Sequence, residues 1–121
     1  MSAVSLAPGG LLQVVRAGYG SALLTVPGPV IRLATARPAA PRARAVARVL
    51  GARHLLQAAL TTAAASSRPS LEIGAAIDLV HAASMAALTP LADRQVRRLS
   101  LSDALIESAF AAAGVSAARA E

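Results

Sequence analysis

The sequence predicts an all-α fold: an Ala-rich bundle of about four helices, membrane-spanning, forming a single helical domain over residues 1–121. Three observations carry this expectation. Hydrophobic residues make up 55% of the chain while aromatic residues supply only 2%, so the apolar content is aliphatic and rich in Ala, the best helix former. Apolar runs are long and lack the β-branched alternation of strands. Most of the Arg residues behind the net charge of +6 cluster between the apolar runs rather than within them. An Ala-rich core buries little area per residue and is thin in water. In lipid that weakness matters less, because helices there associate by close packing of small residues.

The first helix is expected over residues 11–26, where only Gln13 and Arg16 interrupt the apolar run. Pro27-Gly28-Pro29 ends it, since proline lacks an amide donor and restricts the residue before it. No basic residue precedes this run and no clear small-x-small cleavage site follows, so it does not read as a secretory signal. A Pro-punctuated basic linker, 32–44, leads into a second helix over 43–65 with Arg48, Arg53, His54 and Gln57 along its first half. The turn around Arg68 and Pro69 opens a third helix over 71–88, because proline suits the first helical turn. Between Ile73 and Ala92 only Asp78 and His81 can carry charge, and about 20 apolar residues match a bilayer core of about 30 Å. The fourth helix is expected over 100–118, with Asp103 in its first turn. Asp103 and Glu107 share a face at i, i+4 and read as a solvated pair that attracts Arg97 and Arg98.

Alternating spans place Arg32, Arg37, Arg42, Arg44, Arg48, Arg94, Arg97 and Arg98 on one side, and Arg68 and Arg119 on the other. Short cytoplasmic loops are enriched in Arg and Lys. The expected location is therefore the plasma (inner) membrane with both termini outside, the alternative being a soluble, cytoplasmic helical protein. One Tyr, one Phe and no Trp leave no aromatic belt. Arg16 and Arg53 fall inside spans near helix ends, from which long side chains can snorkel to the interface.

If the second and third helices form an antiparallel hairpin about Arg68-Pro69, residues equidistant from the turn meet. Gln57 then lies level with Asp78, and Arg53 and His54 lie level with His81. The candidate functional cluster is accordingly Arg53, His54, Gln57, Asp78 and His81, since intramembrane ionisable groups are costly and are functional candidates by default. The bland alternative is that Asp78 neutralises Arg53 or accepts from Gln57 and sets the register of the hairpin. No cofactor and no metal are assigned: Asp78 and His81 form a DxxH pair without HExxH spacing, and no fourth ligand is evident. No catalytic residue is assigned either. The chain has no Cys, which removes thiolate sites and disulfides. Ser84, Ser100, Ser102 and Ser108 lack a nucleophile context. Gly18-Tyr19-Gly20 lacks the strand context of a phosphate loop. Nucleic acid is not an expected partner, because the basic linker has no aromatic interleaving and no reading helix.

The segments RAGYGSALLTVPGPVIRL, ARVLGARHLLQA and GAAIDLVHAASMAAL, followed by a basic patch and an Ala-rich helix, resemble a group of small, uncharacterised actinobacterial helical membrane proteins. The chain is similar, more distantly, to four-helix membrane families of the DoxX-like kind. Such membership implies a small multi-spanning inner-membrane protein and carries no reaction with it. The leading expectation is a non-enzymatic membrane protein whose partners are lipids and either further copies of itself or another membrane protein, packed through small residues such as Gly74, Ala75, Ala82 and Ala86. Two alternatives stay open: a membrane enzyme or transporter of a small apolar substrate using Asp78 and His81, and a soluble helical adaptor.

Overall fold

The computed structural model describes residues 7–121, which form five α-helices: α1 (Pro8–Thr25), α2 (Pro27–Thr35), α3 (Pro41–Ala63), α4 (Arg68–Leu88) and α5 (Arg94–Arg119), with a 3-10 turn, Thr89–Leu91, between the last two. Proline marks most of the starts, standing in the first two positions of α1, α2, α3, α4 and the 3-10 turn. There its missing N–H costs nothing and its fixed φ is already helical.

Two expectations about the elements are corrected. Residues 27–35 are helix rather than turn and linker, so the bundle has five α-helices where about four were expected, and the irregular linker shrinks to 36–40. Pro27 and Pro29 both fall in the first turn of α2, where neither needs an amide donor. The fourth expected helix also starts earlier, at Arg94, because the Asp93 side chain caps it by accepting from the Val96 N–H at 2.9 Å. The basic patch Arg94, Arg97, Arg98 is thus the first turn and a half of α5 rather than a loop. Arg97 donates to the carbonyls of Thr89 and Ala92 and closes the preceding turn. Gln95 accepts from the Ala40 N–H and donates to the Pro38 carbonyl, each at 2.8 Å, which ties the short linker to α5.

The tight helix pairs are α1 with α3 and α4 with α5. The expected hairpin of α3 against α4 is therefore not a backbone pair; these helices meet mainly through side chains. Glycines set the first crossing. A Cβ on Gly51 would stand 2.6 Å from the Gly20 carbonyl oxygen and 2.8 Å from the Leu24 nitrogen, so the two backbones touch. Gly51→Ala is expected to cost about 1–3 kcal/mol through overpacking, read by detergent unfolding followed by circular dichroism; an unchanged midpoint would contradict the contact. In α4 and α5 the close approach falls at Gly114, whose Cβ would lie 3.4 Å from that of Ala75. Gly74, Ala75 and Ala82 are buried inside the bundle, so of the four small residues expected to mediate association only Ala86 is exposed.

The turn after α3, near Ser66 and Leu71, lies beside Gly9 at the start of α1. The 36–40 linker and the start of α5 lie together at the opposite end. Arg68–Leu91 and Arg94–Arg119 are each long and apolar enough to cross a membrane. Two apolar clusters form the core, one around Leu23, Ile31, Leu50 and Leu99, the other around Leu12, Leu71 and Phe110.

Candidate functional site

Between the two apolar clusters the helices bury charge. Arg16 on α1 is 2% exposed and Asp78 on α4 is fully buried; Arg16 Nη1 donates to Asp78 Oδ1 at 2.7 Å and Nη2 to Oδ2 at 2.6 Å. This bidentate fork is the strongest geometry available to a guanidinium and a carboxylate. Gln57 on α3 adds a donor to Asp78 Oδ1 at 3.0 Å and a second bond to the Gly74 carbonyl at 3.2 Å. The Arg16 guanidinium also stacks over the Phe110 ring, 4.6 Å from its centroid, an attractive placement for a desolvated cation.

A second group surrounds the carboxylates of α5. His54 Nε2 lies 3.2 Å from Asp103 Oδ1 and 3.0 Å from Glu107 Oε1. His81 Nε2 lies 3.1 Å from Asp103 Oδ2 and 4.0 Å from Glu107 Oε1. Tyr19 donates its hydroxyl to Asp103 Oδ1 at 2.9 Å, and Arg53 Nη1 donates to Glu107 Oε1. Arg53 also stands 3.7 Å from Asp78 and so joins the two groups. The His54 ring is wedged edge-on between Tyr19 and Phe110, with centroids 4.9 and 5.7 Å away. These contacts aim its Nε2 at α5.

All five residues expected to cluster do so. Gln57 meets Asp78 as the hairpin register anticipates, but His54 and His81 come together through Asp103 rather than across the hairpin. Three charged members, Arg16, Asp103 and Glu107, lie outside that expectation. Arg16 does not snorkel from a helix end; it turns inward. Asp103 and Glu107 are fully buried instead of solvated, and their partners are His54, His81, Tyr19 and Arg53 rather than Arg97 and Arg98. A signal for them exists in the sequence. Leu99, Asp103, Glu107, Phe110, Ala111 and Gly114 recur at three- and four-residue steps and mark one inward stripe, as do Leu12, Arg16, Gly20 and Leu23 in α1.

Comparison with known families, curated proteins and solved structures finds no match. Chemical inference therefore rests on the site alone. Arg16 and Asp78 form a closed pair with no exposed atom to offer a ligand. Arg53 and His81 are the reachable members, at 22% and 15% side-chain exposure, and both line the groove between α3 and α4 together with Ile73, Ile77 and Val80.

Proposed function

We propose that this chain is a small, non-enzymatic, four-span membrane protein, a bundle held together by an internal ion network and working in the bilayer with lipid and protein partners. The observation that carries this reading is the placement of charge. Residues 7–31, 49–67, 73–92 and 99–118 hold no exposed charged side chain, and each run is about 20 residues or more, or roughly 30 Å at 1.5 Å per residue. In this zone Leu60, Ile73, Val80 and Leu105 point outward while Arg16, His54, Asp78, Asp103 and Glu107 point inward. A protein folded in water does the reverse, because exposed apolar area is unfavourable there and unshielded buried charge is costly. A bilayer favours apolar surfaces facing lipid and ionisable groups facing the bundle interior.

Exposed charge sits at the two ends. The end with the 36–40 linker carries Arg32, Arg37, Arg42, Arg44, Arg48, Arg94, Arg97 and Arg98, and the opposite end carries Arg68 and Arg119. With α1 and α2 together making one crossing, the positive-inside rule puts the linker end in the cytoplasm and both termini outside. Carbonate extraction of membranes tests the reading: the protein is expected to stay in the pellet until detergent is added, and recovery in the soluble fraction without detergent would overturn it.

A second reading, a transporter or enzyme for a small apolar substrate, draws on the groove between α3 and α4. Leu56, Leu60, Ile73 and Ile77 line it, and Arg53 and Gln57 lie along the same wall. A substrate there meets Arg53 and Gln57, not Asp78, which Arg16 and Gln57 enclose.

A further inference from the structure

We propose that His54, His81, Asp103 and Glu107 form a site for one divalent first-row transition ion of the Zn(II) or Fe(II) kind. The four side chains come from three helices, α3, α4 and α5, and the two carboxylates lie one turn apart on α5. One ligand atom from each of His54, Asp103 and Glu107 falls within 4.8 Å of the others. The His81 nitrogen adjoins this set of three, 3.1 Å from the other Asp103 oxygen, Oδ2, and 4.0 Å from Glu107 Oε1, while His54 Nε2 stands 3.2 Å from Asp103 Oδ1 and 3.0 Å from Glu107 Oε1. Ligands held at about 2.0–2.1 Å around a tetrahedral ion stand about 3.3–3.4 Å from one another, so the observed separations bracket the required spacing.

The donor types narrow the ion. Two imidazoles with two carboxylates suit Zn(II), Fe(II) or Mn(II); Ca(II) and Mg(II) prefer all-oxygen shells, and Cu(I) prefers sulfur. Glu107 Oε2 is buried and has no hydrogen-bond partner, which leaves one acceptor atom of the cluster unused.

The surroundings are those of a supported metal site. Tyr19 donates to Asp103 and Arg53 to Glu107, and such partners orient metal ligands. His81 is partly exposed on the groove between α3 and α4, which supplies an entry path. Asp78 belongs to the DxxH pair but is not a ligand, because Arg16 occupies both of its oxygens. The ligands completing the set come from α5.

The test uses untagged full-length protein, purified in detergent, stripped with EDTA and titrated with Co(II), whose visible absorption reports four-coordinate nitrogen and oxygen ligation. One Co(II) per chain is expected, displaced by Zn(II), with affinity falling at least about tenfold in His81→Ala and in the milder His81→Gln. Circular dichroism of each variant verifies that the helices remain. Absence of saturable Co(II) and Zn(II) binding by the wild-type protein would overturn the proposal whatever the variants do, and so would wild-type affinity retained in both His54→Ala and His81→Ala.

Discussion

Asp78→Ala is expected to destabilise the protein by about 3–5 kcal/mol, the cost of leaving one partner of a buried ion pair uncompensated. The size follows from the enclosure of Arg16, which is 2% exposed with both terminal nitrogens committed to Asp78. Without the carboxylate the guanidinium keeps its contact with the Phe110 ring, worth no more than about 2 kcal/mol when desolvated, and no second carboxylate lies within bonding distance. Asp78→Asn should fall between, since an amide oxygen still accepts from Arg16 or Gln57 while the charge is lost. The paired variant Arg16→Met with Asp78→Leu removes both charges and should recover most of the loss, because replacing a whole buried pair by apolar groups is often neutral. Unfolding by SDS in mixed micelles, followed by circular dichroism, measures all four proteins. A paired variant no more stable than Asp78→Ala would show that the two residues act separately and that the fork contributes nothing as a pair.

Leu105→Arg should be the most damaging substitution on the outer surface. Leu105 is 74% exposed near the middle of α5, within the zone that holds no exposed charge. At an ordinary water-facing position such a change stays within about 0.5 kcal/mol. At the centre of a bilayer an Arg costs about 2.5–3.5 kcal/mol on insertion scales. Leu91→Arg provides the comparison: Leu91 is also highly exposed but lies at the Arg-rich end, where the new side chain reaches the interface at little cost. The membrane-inserted fraction of each variant, with its SDS unfolding midpoint, separates the two environments. Equal tolerance of both variants would mean that water, not lipid, surrounds α5.

The members of the ion network differ in how visible they are in the sequence. Asp78 and His81 stand out because nothing else between Ile73 and Ala92 can be charged. Arg53, His54 and Gln57 follow once α3 and α4 are read around a common turn. Arg16 is visible too, but its distance to a helix end suggests snorkelling, whereas its step of four from Leu12 and from Gly20 places it on the buried stripe. Asp103 and Glu107 carry the ordinary signature of a solvated i, i+4 pair. Only the neighbours on their stripe, Leu99, Phe110 and Gly114, argue against that. A carboxylate pair looks the same in a string whether water or a pair of imidazoles faces it.

Helical class and most of the element starts follow from local chemistry: Ala-rich runs favour helix, and prolines open helices at 8, 27, 41 and 69. The one-sided arginine distribution is likewise a property of order along the chain. Partner choice is not. α1 pairs with α3 and α4 with α5 because Gly20 meets Gly51 and Gly114 meets Ala75, and backbone contact of this kind depends on which helix faces the glycine. That arrangement brings Arg16 to Asp78 across 62 residues and Tyr19 to Asp103 across 84. It also turns two separated histidines and an apparently solvated carboxylate pair into one inward-facing set of donors.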